Sequence, residues 1–235
     1  MMIGYPRAHH RLIDSTNRVA RDLVAAGAPH GTLVTAGEQS AGRGRSDRAW
    51  MAPAGSSVLM SVVLRELGGG GALLPLTASV AVSDVLDEWV GAVSIKWPND
   101  VWIGGRKVAG ILVEGRPHED WVVLGIGLNV LTAAGAFPPE LRESATSIAA
   151  AGGGTPALEE VLALLLTTLH RRLGQTASAV LAAWRERDAL LGSAIAWDGG
   201  EGVAAGIDDS GALLVDVAGG RVALDAGEVH LGAML

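Results

Sequence analysis

The stretch VSIKWPNDVWIGGRKVAGILVEGRPHEDWVVLGIGLNV, residues 93–130, carries the fold. Within it VSIKW, KVAGILVEG and DWVVLGIGLNV are rich in β-branched residues and read as strands, with Gly104 and Gly105 as hairpin-turn residues. Pro98 has no N–H to give a ladder, so pairing stops at the Trp97–Pro98 corner and leaves Asn99 and Asp100 at a strand end. The same Pro-Asn-Asp run also suits an ordinary Asx turn. Gly110 weakens its strand, and close approach of a ligand to the backbone is a reason to keep it. Strict alternation puts Lys107 and Gly110 on opposite faces. One ligand can touch both only if a bulge intervenes or if Gly110 offers backbone. Gly125-Ile-Gly-Leu-Asn-Val130 does not complete G-x-G-x-x-G, so a dinucleotide fold is not indicated.

Toward the N-terminus, the pattern predicts a helix over Thr16–Ala26 capped by Asp14 or Ser15, and a strand over Thr32–Ala36. SSVLMSVVLR, residues 56–65, reads as another strand. The GGGG run at 68–71 reads as a flexible turn, and a helix follows over Leu74–Val90. Toward the C-terminus, helical spacing of Leu158, Val161, Leu162, Leu165 and Leu169, then Val180, Leu181 and Trp184, predicts two helices between Pro156 and Leu191. Beyond Gly192 short apolar runs alternate with DGGEG, DDSG and AGG, the turn chemistry of a small all-β unit. The expectation is an α+β chain. Residues 1–188 form a mixed, mainly antiparallel sheet with flanking helices, and residues 189–235 form a small β domain.

Composition narrows the chemistry. The chain has 235 residues, 49% of them hydrophobic, which is enough for a substantial core. It holds no cysteine, which excludes disulfides, thiolate metal sites and thiol nucleophiles, and permits a cytoplasmic location. A net charge of -7 disfavours general contact with a phosphate backbone, and no apolar stretch reads as a signal peptide or a membrane span. The six histidines have no ligand spacing, so no dedicated metal site is expected.

Against that acidic background, Gln39-Ser-Ala-Gly-Arg-Gly-Arg-Ser-Asp-Arg-Ala-Trp50 places Arg43, Arg45 and Arg48 within six positions. Gly42 and Gly44 let backbone amides come close to a ligand, and the guanidinium planes suit carboxylate or phosphate oxygens. Taken alone, such a loop is as well explained by a solvated turn or an RNA-contacting segment.

Together Ser15-Thr16-Asn17, GEQSAGRGRSDRAW, KWPND, KVAGILVE and GIGLN, in this order and spacing, resemble the motifs of the biotin–protein ligases. The resemblance implies a class II synthetase-like biotin/lipoate ligase domain followed by an SH3-like β-barrel. It implies that biotin attacks ATP to give biotinyl-5'-AMP, with Mg²⁺ accompanying ATP. Biotin then passes to a lysine of the biotin carboxyl carrier domain of an acyl-CoA carboxylase. By the same resemblance, Ser15, Thr16, Asn17 and Gln39 hydrogen-bond the ureido ring, with Gly44, Gly110 and Leu112 lining the pocket. Arg43, Arg45 and Lys107 hold the biotin carboxylate and α-phosphate, and Arg48 reaches the outgoing phosphates. Trp50 packs on adenine with Asn129 nearby, Asp100 orients the incoming lysine, and Lys96 touches the carrier domain. One departure stands out: the family loop reads G-R-G-R-x-G-R, and here Asp47 replaces its third glycine. A lipoate–protein ligase shares the chemistry but has a different arginine loop. A biotin-responsive regulator needs a winged helix-turn-helix, for which the fourteen residues before Ser15 are too few. No DNA contact is therefore expected, and a homodimer is left open.

Overall fold

A computed structural model describes residues 3–46, 48–65, 70–116, 121–225 and 227–232. Its main body is a seven-stranded sheet. The strands are β1 (Arg7–His10), β2 (Leu33–Ala36), β3 (Ser57–Arg65), β4 (Val93–Lys96), β5 (Asp100–Ile103), β6 (Arg106–Arg116) and β7 (Trp121–Asn129). They lie in the order β1-β2-β3-β7-β6-β5-β4. Among the ladders of the described residues only β1–β2 is parallel, so the sheet is mixed and mainly antiparallel, as the residue pattern predicts.

Two strands escape the sequence pattern. Arg-Ala-His-His of β1 has neither alternation nor β-branching. It is set by pairing with β2, where Thr35 Oγ1 accepts from Arg7 and contacts His9 Nδ1. The Gly104–Gly105 turn joins β6 to the four-residue β5 rather than to VSIKW, because the Trp97–Asn99 corner cuts Asp100–Ile103 off from β4 as a strand of its own.

Alternation decides what each face of the sheet does. On β3, β7 and β6 one set, including Met60, Val62, Leu124, Ile126, Leu128 and Ile111, enters a core covered by α2 (Leu74–Leu86) and α3 (Leu158–Leu173). The other face is covered in part by α1 (Thr16–Ala25), through Ala20 and Val24 against Val34, Val63 and Val123. Where α1 stops covering it, that face carries Ser57, Leu59 and Ser61 on β3, Gly125, Gly127 and Asn129 on β7, and Gly110, Leu112 and Glu114 on β6. Small and polar residues there leave room for a ligand. β6 contains a bulge: Val101 pairs with Ala109 but Trp102 with Lys107. Val108 and Ala109 both turn into the core, which returns Lys107 to the face of Gly110. The residue pattern leaves that alternative open, and the bulge decides it.

The helices differ in detail from expectation. Neither Asp14 nor Ser15 caps the first turn of α1 with a side chain. Instead Asp14 accepts from the Ser15 amide, and the Thr16 amide donates to Gln39 Oε1 at 2.7 Å. The helix start is thus completed from a distant loop. α2 ends at Leu86, short of Val90, and residues 87–89 form a turn before Ala92 adopts φ +57°. Of the GGGG run, Gly68 and Gly69 lie outside the described residues, while Gly70 and Gly71 open a 3₁₀ turn leading into α2.

After α4 (Ala177–Arg185), the backbone of Arg187 and Ala189 hydrogen-bonds to Ile95, adding a short pairing along the β4 edge. The chain then forms β8 (Ala194–Trp197), β9 (Gly200–Ile207), β10 (Leu213–Val217), β11 (Gly220–Leu224) and β12 (Val229–Leu231). These make a five-stranded antiparallel sheet in the order β11-β10-β9-β8-β12, with no ladder joining β11 to β12 among the described residues. Leu76, Val80, Ile95, Trp97, Leu181 and Trp184 share one core with Ile195, Ile207, Leu213, Val215 and Val229 of this sheet. Trp97 Nε1 also donates to the Gly211 carbonyl at 3.0 Å. A net hydrogen bond is worth about 1 kcal/mol, whereas each fully buried aliphatic side chain contributes roughly 1.5–3 kcal/mol. The shared core, more than that bond, holds the small sheet beside the corner. No helix among the described residues is long and apolar enough to cross a membrane.

Candidate active site

The uncovered sheet face is the floor of a cavity of about 320 Å³, walled by the start of α1, the 39–50 loop, the β4–β5 corner and residues 137–145. Every residue to which the resemblance gives a binding or catalytic role lines it: Ser15, Thr16, Asn17 and Gln39 at one end, and Arg43, Gly44, Arg45, Arg48 and Trp50 along the loop. Lys96 and Asp100 come from the corner, and Lys107, Gly110, Leu112 and Asn129 from β6 and β7.

At the α1 end the polar groups bind one another. Ser15, Thr16 and Asn17 are buried where the helix meets the sheet. Gln39 Oε1 accepts from the Thr16 amide at 2.7 Å and from its hydroxyl at 3.1 Å. Ser61 Oγ, fully buried on β3, lies 2.8 Å from Thr16 Oγ1 and 2.6 Å from Asn17 Oδ1. Asn17 Nδ2 donates to Glu114 Oε2 at 2.7 Å. Sequence reasoning misses Ser61 and Glu114, although each carries a signal. Ser61 interrupts an apolar strand at the parity of Ser57, and Glu114 closes KVAGILVE.

The arginine segment is a small, largely exposed hairpin held by backbone hydrogen bonds. Trp50 N–H donates to Gly42 O at 2.9 Å, Gly44 N–H to Arg48 O at 2.6 Å, and Arg43 bridges Ala49. Gly42 is required here, because a Cβ would stand 2.5 Å from the Trp50 carbonyl oxygen. Ser46 takes φ +51° at the tip; Asp47 lies outside the described residues. Burial pushes the Arg45 guanidinium below its ordinary range, with Asp100 opposing, Arg48 reinforcing and Glu228 opposing the shift. Arg48 reaches across to Glu228 of the second sheet at 2.6 Å, a partner that only the tertiary structure reveals.

Lys107 Nζ sits 2.7 Å from Asp100 Oδ1. Its backbone is clamped to residues 144–146, donating to Ser144 O and accepting from Thr146 N, both at 2.8 Å. Lys96 Nζ lies 5.4 Å from the Trp102 ring centroid, and burial lowers its ammonium from the ordinary lysine range. The Trp50 indole covers the paired glycines Gly110 and Gly127, where a Cβ would meet it at 3.0 and 2.5 Å. Its Nε1 is buried and finds no hydrogen-bond partner among the described residues. Asn129 is engaged by the protein: Ser57 donates to its Oδ1 at 3.2 Å, and its Nδ2 donates to Thr146 O at 3.0 Å. Asn99 is held likewise, its Nδ2 donating to Ile111 O at 2.7 Å, so Asp100 is the carboxylate the corner gives the site.

The site therefore joins a neutral, hydrogen-bonded end to a cationic end across a glycine floor. That pairing suits a ligand with a neutral polar head and an anionic tail placed beside a second anion. The fold matches that of a solved biotin protein ligase from Aquifex aeolicus in complex with biotin and ATP, with a TM-score of 0.87 over 97% of this chain and 100% of that one, at 24% identity. That match defines the fold. A model of the Biotin/lipoate A/B protein ligase family matches residues 10–130, and one of the Biotin protein ligase C terminal domain matches residues 200–232. The biotin–[acetyl-CoA-carboxylase] ligase of Paracoccus denitrificans is 39% identical, covering 93% of this chain and 98% of that protein. The bifunctional ligase/repressor BirA of Bacillus subtilis is 35% identical, covering 98% of this chain and 75% of that protein. The chain belongs to the biotin/lipoate protein ligase family, on its biotin–protein ligase side.

Proposed function

We propose that the protein activates biotin with ATP and attaches it to a lysine of the biotin carboxyl carrier domain of an acyl-CoA carboxylase. The observation that carries this reading is the convergence of the arginine hairpin and the Lys107–Asp100 pair on one cavity with the neutral polar end of Thr16, Asn17 and Gln39. In the first step a biotin carboxylate oxygen bonds to the α-phosphorus and pyrophosphate leaves. Two anions must be held together for this, and fixed cations lower that cost. Arg43, Arg45 and Lys107 take that role, while Arg48 exchanges Glu228 for the departing phosphates. Mg²⁺ arrives with ATP, held by phosphate oxygens and water. In the second step the lysine nitrogen bonds to the activated carbonyl carbon, AMP leaves and the amine gives up a proton. Asp100 orients that amine, and Lys96 meets the carrier. Trp50 and Asn129 belong to the adenine side. Residues 1–188 do the chemistry and 189–235 form the tail domain, whose single Arg221 against seven acids gives no surface for DNA.

Mass spectrometry tests the reading. Incubation with biotin, ATP, Mg²⁺ and a carrier domain adds one biotin to one lysine, and omission of ATP abolishes it. Modification without ATP, or with lipoate as readily as with biotin, would overturn it.

A further inference from the structure

Glu114 takes no part in the activation chemistry, yet it joins both ends of the pocket. Its Oε2 accepts from Asn17 Nδ2 at 2.7 Å. Its Oε1 accepts from Arg21 at 3.3 Å and lies 3.8 Å from Arg43 of the arginine hairpin. An ionised carboxylate can only accept, so it fixes which end of the Asn17 amide faces it. The nitrogen must point to Glu114, and Oδ1 is left facing Ser61 Oγ at 2.6 Å and the Gly125 floor, where a Cβ would stand 2.1 Å away. Gln39 is fixed the opposite way. Its Oε1 is taken by Thr16, so Nε2, lying against Gly42, is what it offers.

Resting on the biotin reading of this pocket, we infer that Glu114 is a positioning residue that sets the polarity of the head-group site, with an acceptor from Asn17 and a donor from Gln39. A cyclic urea carries one carbonyl acceptor between two N–H donors and fits that polarity. With the carboxylate gone, the Asn17 amide is no longer biased against a half-turn that would set N–H against N–H. Its bond to the carbonyl of Leu112, at 3.5 Å, is too long to hold it alone.

The test is biotin-dependent pyrophosphate exchange with the full chain. Glu114→Gln raises KM for biotin by about tenfold or more, the range for losing a charged hydrogen bond, and by far more than it changes KM for ATP. The reciprocal pair Asn17→Asp with Glu114→Gln keeps the net charge and the polarity, because the new carboxylate accepts from the new amide and still turns an oxygen to the pocket. It brings KM for biotin back toward wild type, whereas Asn17→Asp alone sets two carboxylates together and is the worst of the set. Thermal melts of all variants separate folding from binding. An unchanged KM in folded Glu114→Gln, or a folded double variant no better than Glu114→Gln, overturns the inference alone. A wild-type chain without biotin-dependent exchange overturns the biotin reading and the inference with it.

Discussion

At the α1 end of the pocket, Thr16, Asn17, Gln39, Ser61 and Glu114 satisfy one another's hydrogen bonds. At the other end, cations are held by carboxylates that a phosphate would have to displace: Lys107 by Asp100, and Arg48 by Glu228. The first arrangement suits a neutral head group, because the receptor has already been ordered and little freedom remains to be lost on binding. The second suits a chemistry in which anions arrive, react and leave. Counter-ions there keep neighbouring arginines and lysines from repelling one another in the empty site, and the bonds they make are exchangeable. The difference separates recognition, built as rigid geometry, from activation, built as replaceable charge.

The contrast breaks most sharply at Lys107. Lys107→Ala removes a cation from the cationic end and leaves Asp100 without its 2.7 Å partner. Biotin-dependent pyrophosphate exchange should fall by about 10² or more, the cost of removing a preorganised group that stabilises developing charge. Biotin binding measured by calorimetry without ATP should fall far less, since the α1 end is untouched. Near-normal exchange in this variant would remove Lys107 from the activation step.

Gly125→Ala tests the rigid end. The added methyl would stand 2.1 Å from Asn17 Oδ1, and Asn17 is only 3% exposed with both amide atoms bound. Overpacking of this kind costs about 1–3 kcal/mol, and here the displaced atom belongs to the ligand's own contact. KM for biotin should rise on the order of tenfold with KM for ATP unchanged. Equal effects on both substrates would mean that the two ends are mechanically one.

Much of this contrast is visible in the sequence, for a physical reason. Gly-x-Gly-x-Asn on β7 is a strand whose exposed face has lost its side chains, and alternation alone places Gly125, Gly127 and Asn129 together. The arginine loop announces its charge, and the apolar strands and helices announce the α+β layers. Alternation could not give the bulge at Val108, since an inserted residue changes parity without changing composition. Nor could it give β1, which is held by its neighbour rather than by its own propensity. Glu228 was hidden for another reason: it is distant in sequence and joins Arg48 only because a buried core fixes the second sheet beside the corner.

The smallest effect, and the one that sharpens the contrast most cleanly, is that of salt. Arg48 and Glu228 are 55% and 31% exposed in their side chains, so their pairing and any phosphate that replaces it sit where mobile ions reach. At the head-group end Thr16, Asn17 and Ser61 are neutral and buried, and Gln39 is neutral and half-buried. Raising ionic strength from about 0.1 M to about 1 M shortens the screening length from about 10 Å to about 3 Å. KM for ATP should therefore rise several-fold over that range, while the inhibition constant of desthiobiotinol, which keeps the cyclic urea and lacks the carboxylate, should stay level in competition with biotin. Glu228→Gln should steepen the salt response of ATP, because salt then no longer weakens a competing pair at Arg48 as well. A head-group ligand whose binding weakened with salt as steeply as that of ATP would mean that long-range charge, rather than fixed hydrogen bonds, recognises the neutral end.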